Sequence, residues 1–127
     1  MERTARCCCG DAFLKVSGEP ILYGVCHCDN CKQRTGSAFG MSAYFRDDQV
    51  VERKGKMSTY AIRDEHQRSF CSNCGTTLFW KSELQPDAIG VAAGCFTEKS
   101  LPEPELTVSN EGKYDWITLP SSWSTKI

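Results

Sequence analysis

The sequence predicts a small, mainly β domain held together by bound metal, and three observations carry that prediction. Short runs rich in β-branched and aromatic residues recur between turns marked by Gly, Pro and Asp, while no stretch longer than about ten residues sustains an apolar period of about 3.6. Nine cysteines sit in 127 residues, and seven of them fall in short motifs of metal-ligand spacing. That length suits one domain and is too short for two independent cores. Residues 1–127 therefore read as a single zinc-binding unit, with a core over 6–119 and a loosely held tail over 120–127.

A formal charge of −1, a pI near 6.1 and no run of Lys or Arg longer than two residues argue against nucleic acid as a partner. Phosphate binding needs a clustered positive field. No apolar segment approaches the roughly 20 residues that cross a bilayer, and the start, Met1-Glu2-Arg3-Thr4, has no apolar leader core. An odd number of cysteines disfavours a disulfide scaffold, so a soluble protein of the reducing cytoplasm is expected.

Taken in order, the ordered part is expected to open at Arg6-Cys7-Cys8-Cys9-Gly10. Alternate side chains share a face on extended backbone, so Cys7 and Cys9 converge where Cys8 does not, and Gly10 permits the tight turn that follows. Residues 12–16 and 21–25 read as the two strands of a hairpin across the breaker-rich turn 17–20. After Cys26-His27-Cys28-Asp29-Asn30-Cys31, residues 32–35 continue one helical turn, with Asp29 or Asn30 as its cap and Gly36 as its end. Strands are expected over 38–45, 50–51, 57–62 and 66–70, with turns at 54–55 and 63–65.

Cys71-Ser72-Asn73-Cys74-Gly75 has the form of a zinc knuckle, in which the residue after the second cysteine must tolerate positive φ. A thioredoxin-type redox pair competes, but such a pair opens a helix inside a βαβ unit, whereas 76–80 is a β-branched and aromatic strand. Residues 88–93 make an apolar strand ending at Gly94-Cys95. Pro102 and Pro104 interrupt any regular structure over 101–105. Residues 106–109 read as an edge strand, and the aromatics of 114–117 are expected to pack back onto the sheet.

Seven motif cysteines divide as four plus three. Cys7 and Cys9 with Cys71 and Cys74 make a closed structural site, and Cys26, Cys28 and Cys31 make an open one. The trio has an alternative, which is to recruit Cys95 or His27 as a fourth ligand. His27 lies between two ligands and is expected to point away from a metal they share. Cys8 and Cys95 read as small buried hydrophobes, with Cys95 close to the site, and His66 as an exposed strand residue. Zinc with three thiolates carries a formal charge of −1, so it is a weak Lewis acid, suited to capturing an incoming thiol and lowering its pKa from about 8.5 rather than to making hydroxide. Lys32 and Arg34 stand close enough in sequence to offset that charge or to hold a substrate carboxylate.

The segments Cys7-Cys8-Cys9-Gly10, Cys26-His27-Cys28-Asp29-Asn30-Cys31, Arg34-Thr35-Gly36-Ser37-Ala38-Phe39 and Arg68-Ser69-Phe70-Cys71-Ser72-Asn73-Cys74-Gly75-Thr76, with Leu78-Phe79-Trp80, resemble the glutathione-dependent formaldehyde-activating enzyme family, which is shared with the centromere protein V domain. The resemblance runs from about Arg6 to Trp116. It implies a small tent-like domain of coiled antiparallel sheets with two zinc ions, a structural one on Cys7, Cys9, Cys71 and Cys74 and a catalytic-type one on Cys26, Cys28 and Cys31. It also implies carbon-sulfur lyase activity, the reversible joining of glutathione and formaldehyde. This chain departs from the family pattern in having Cys8 between the first two ligands and no histidine after His66. The expected function is a zinc-dependent lyase acting on a glutathione-like thiol and an aldehyde, with Cys26, Cys28, Cys31, Lys32 and Arg34 in the catalytic machinery. A non-catalytic zinc scaffold for protein binding is the alternative.

Overall fold

A computed structural model describes every residue except Leu84 and Ile127. Its organising feature is the meeting of two sheets. Strands β1 (Glu2–Arg6), β2 (Phe13–Ser17) and β5 (Val50–Lys54) form a three-stranded antiparallel sheet in the order β1-β2-β5. In β2 the alternation is plain: Leu14 and Val16 face inward, while Lys15 between them faces out.

The second sheet has eight strands, built from β3 (Leu22–Cys26), β4 (Gly40–Arg46), β6 (Met57–Arg63), β7 (His66–Cys71), β8 (Thr77–Lys81), β9 (Ala88–Ala92), β10 (Leu106–Ser109) and β11 (Ser124–Thr125). Their order is β11-β10-β3-β4-β9-β8-β7-β6. One helix, α1 (Asp29–Thr35), connects β3 to β4. Every residue of β9 is buried, which is why its sequence reads as an unbroken apolar run rather than an alternation. Leu14 and Val16 from the small sheet pack with Phe45, Leu78, Ile89 and Val91 from the large one, and the ring of Phe96 meets Phe45 edge-on at 6.0 Å. Among the described residues, no helix is long and apolar enough to cross a membrane.

Several expectations are corrected here. Residues 2–6, ahead of the expected start of order, form β1, because Arg3 and Ala5 alternate inward against β2. β2 and β3 are not a hairpin. Each strand pairs in a different sheet, and the Gln49 side chain fastens the crossing by donating to the carbonyls of Ser17 and Glu19, both at 2.9 Å. β10 is internal rather than an edge, and it runs parallel to both neighbours, so the large sheet is mixed. The expected loose tail returns as β11, where the Lys126 amide donates to the Thr107 carbonyl at 2.9 Å; its last residue, Ile127, lies outside the described residues. Tyr114 and Trp116 do not pack on the sheet. They stack on each other at 5.7 Å and stay exposed beside α1.

Gly90 positions a residue of the site described below. It lies opposite both Trp80 and Tyr44 in the ladder, and a Cβ there would collide with the Trp80 indole. Gly90→Ala is expected to cost about 1–3 kcal/mol through overpacking and to shift the tryptophan fluorescence. Gly94→Ala, which meets no atom within 4 Å, is expected to be close to neutral in the same thermal melt.

Candidate metal centres and the cavity beside them

Two turns of the same design bring four thiols together. Cys7 directly follows β1, and its sulfur accepts the Ala12 amide at 3.2 Å while the Gly10 amide closes on the Cys7 carbonyl at 3.1 Å. Cys71 ends β7, its sulfur accepts the Asn73 amide at 3.4 Å, and the Gly75 amide closes on the Cys71 carbonyl at 2.9 Å. Gly10 and Gly75 both turn at positive φ, 87° and 82°. The two turns are tied directly, since the Cys8 amide donates to Thr76 Oγ1 at 3.1 Å.

Between them, the sulfurs of Cys7, Cys9, Cys71 and Cys74 all lie within 4.8 Å of one another. Cys7 and Cys9 are 3.6 Å apart, Cys9 and Cys71 3.8 Å. A tetrahedral ion with bonds of about 2.3 Å to sulfur sets its ligands about 3.8 Å apart, so this donor set fits zinc in spacing and in chemistry. Two members are already biased toward thiolate. Burial pushes Cys7 up, but donation from the Ala12 amide and from Cys9 outweighs it, and Thr76 holds Cys74 down to about 5. Cys8, expected to be buried, is exposed, as is Cys9 beside it, while Cys7 is buried.

The second cluster is Cys26, Cys28 and Cys31, whose sulfurs also lie within 4.8 Å of one another. Cys26 ends β3, and Cys28 follows 3.4 Å from it, sulfur to sulfur. The cap of α1 is neither Asp29 nor Asn30 but Cys28, whose sulfur accepts the Cys31 amide at 3.5 Å. The helix start and the ligand cluster are therefore one structure. Gly36 ends the helix at φ 64°, as its sequence position predicts. Donation from Cys31 holds Cys26 down to about 6, with help from the Cys28 backbone and the charge of Arg34, while sharing that proton and burial push Cys31 up. A cation bound at the trio would displace the remaining thiol protons into solvent.

His27 points away from the trio, as expected from its place between two ligands. Its ring is fully buried and lies 5.4 Å from that of Phe39. Cys95 joins neither cluster. Its thiol is 3.9 Å from the Thr77 carbonyl, in a separate cavity of about 490 Å³ that also touches Phe39, Met41 and Gly94.

The trio lies in the floor of a cavity of about 310 Å³. Arg34 joins it there, its guanidinium 4.6 Å over the Trp80 ring, and Trp80 Nε1 donates to the Tyr44 hydroxyl at 3.1 Å. Lys32 does not face this cavity. Its ammonium bonds the Gly112 carbonyl at 2.8 Å and lies 4.5 Å over the Tyr114 ring, in the groove on the other side of α1.

His66, expected on an exposed position, is buried in the cavity wall with Arg68, two residues along the same face of β7. Tyr44, Trp80, His66 and Arg68 were not singled out as site residues. For His66 and Arg68 a usable signal exists, their shared parity on a strand that leads into the knuckle. For Tyr44 and Trp80 the register across Gly90 decides the matter, and a single strand does not show it.

Comparison with known proteins agrees with this architecture. The family model described as glutathione-dependent formaldehyde-activating enzyme matches residues 2–111. An uncharacterized lyase of Schizosaccharomyces pombe is 32% identical over 79 residues, which are 62% of this chain and 57% of that protein, so the match spans little more than half the relative's length. A crystal structure of a Rhodobacter sphaeroides protein superposes with a TM-score of 0.62 at 21% identity, covering 80% of this chain and 92% of the other, and shares the fold.

The two clusters are expected to respond differently to loss of a thiol. Cys71→Ser breaks the junction between the two knuckle turns and should abolish cooperative unfolding, since binding energy at such sites is folding energy. Cys28→Ser keeps an acceptor at the helix cap and should cost less than about 1 kcal/mol. Cobalt(II) titration reads both, each variant losing one component of the thiolate charge-transfer absorption.

Proposed function

The chain belongs to the glutathione-dependent formaldehyde-activating enzyme family, and on that premise we propose that it is a zinc-dependent carbon-sulfur lyase, joining a small glutathione-like thiol to an aldehyde and releasing them again. One observation carries this reading. Among the described residues Cys26, Cys28 and Cys31 meet without a fourth protein ligand, and they do so in the floor of a cavity large enough for a small substrate. In this reading each cluster holds one zinc ion, two per chain. Zinc on the trio supplies an electrophilic position that makes an incoming thiol more acidic, so that its thiolate is present at neutral pH.

The remaining work falls to side chains. Arg34 offsets negative charge at the trio, and its stacking on Trp80, which is itself hydrogen-bonded to Tyr44, fixes it in place. His66 is the candidate for managing the carbonyl oxygen. Arg63 Nη2 lies 3.3 Å from His66 Nδ1 and a guanidinium only donates, so Nδ1 accepts and the neutral ring carries its proton on Nε2. Burial, then the charge of Arg63, lowers the His66 pKa and keeps the ring neutral at pH 7. In that state it donates a hydrogen bond to the aldehyde oxygen while sulfur adds to carbon. The C–S bond forms, the carbonyl π pair moves to oxygen, and the proton released by the thiol ends on that oxygen. Cleavage is the same path in reverse, with nothing oxidised or reduced.

Metal analysis of the folded protein is expected to find one zinc for each cluster, and zinc-edge X-ray absorption to gain a sulfur scatterer when glutathione is added. His66→Ala should lower kcat by about a hundredfold with zinc content unchanged. Full lyase activity after replacing Cys26, Cys28 and Cys31 together by serine would overturn the reading.

A further inference from the structure

Arg34, Arg63 and Arg68 line the trio's cavity together with Glu111, and Arg63 is already paired with Glu83. Arg34 reaches the cavity from α1 and Arg68 from β7, and the two flank Trp80: Arg34 lies over its ring, while Arg68 is its cross-strand partner. Both are anchored close to the trio. A Cβ on Gly40 would lie 2.7 Å from Arg34 Nη2 and 3.3 Å from Cys31 Cβ, which places guanidinium and ligand against the same backbone. Arg68 Nη2 donates at 3.0 Å to Asn30, the residue before Cys31.

Among the described residues neither arginine forms an ion pair, although Lys81, Arg63, Arg46 and others on the surface do. Arg34 Nη2 and Arg68 Nε are buried with no hydrogen-bond partner. Two adjacent guanidinium groups, partly withdrawn from water and lacking a carboxylate, are costly unless a third component supplies negative charge. A metal with three thiolates provides a formal −1 and Glu111 lines the same cavity, yet among the described residues no carboxylate comes within ion-pair distance of either guanidinium, so Arg34 Nη2 and Arg68 Nε stay unmatched. The planar donor fork is the form that recognises a carboxylate.

Resting on the lyase reading above, we propose that Arg34 and Arg68 form an anion subsite beside the trio, and that one of the two reactants carries a carboxylate within a few bonds of its reacting atom. The substrate class is then a compact thiol acid or a 2-oxo acid, rather than a pair of neutral partners. Trp80 sets the spacing between the two guanidinium groups, and the carboxylate binds them while the sulfur or carbonyl carbon stays over Cys26, Cys28 and Cys31.

A binding arm and a turnover arm on the zinc-loaded protein test this, the first independent of catalysis. β-Mercaptopropionate and its neutral isostere β-mercaptopropionamide are compared by calorimetry, and glyoxylate and formaldehyde are compared as acceptors for glutathione in a second arm. In at least one arm the charged member is expected to be favoured by about tenfold or more, the size of a charge-assisted pair. Arg34→Gln and Arg68→Gln should each erase most of that preference, Arg68→Lys should keep part of it, and Arg53→Gln, on β5 over Phe79, should leave it intact. A preference in the first arm places the carboxylate on the thiol, and one in the second places it on the carbonyl partner. Equal binding of charged and neutral members in both arms, or a preference that survives both glutamine variants, overturns the subsite and leaves the lyase reading standing. Failure of both thiols to bind at all overturns the lyase reading itself.

Discussion

Convergence of thiols from distant parts of the chain is the constraint on which the rest depends. Cys7 and Cys9 belong to the small sheet's first turn and Cys71 and Cys74 to a turn of the large sheet, so a cation between them fixes the two sheets where side-chain packing also joins them. In a chain of this length the apolar core is modest. A metal-thiolate junction adds binding energy to folding energy, and it does so at the edge of the core rather than within it.

The two clusters use the same ligand type to different ends, and backbone geometry separates them. In the knuckle turns one cysteine on each side, Cys7 and Cys71, is buried and accepts a backbone amide, while Cys9 and Cys74 complete a set of four from exposed positions. At the trio, β3 ends and α1 begins within the thiol cluster itself, so the sulfur of Cys28 that caps the helix is also one that could hold a metal. A seven-residue helix with no buried residues has little packing of its own to hold it. Its orientation therefore follows the cluster at its start and the Arg68 bond to Asn30.

Much of this was legible in the sequence. Cysteine spacing gave the division into four and three, the glycines after Cys9 and Cys74 gave the turns, and the absence of helical period gave the class. Pairing partners were not legible. Residues 13–17 and 22–26 look like adjacent strands of a hairpin, yet the bonds to Gln49 that divert the chain come from far along it. Likewise β10 carries nothing in its four residues to say that it runs parallel to β3; the information sits at Gly24, where a Cβ would fall 2.6 Å from the Leu106 carbonyl. The site beyond its ligands failed for the same reason. Lys32 and Arg34 are two residues apart, so a short helix directs them to opposite sides, and only the neighbours show which side holds the trio.

Among the described residues Arg34 is also the single one that borders both the trio's cavity and the separate one beside Cys95. The Arg34 side chain therefore lies where the two cavities meet, seated on the indole of Trp80. What separates the sulfur-lined cavity from its neighbour is in that sense one side chain, resting on an aromatic ring that a glycine on the next strand makes room for.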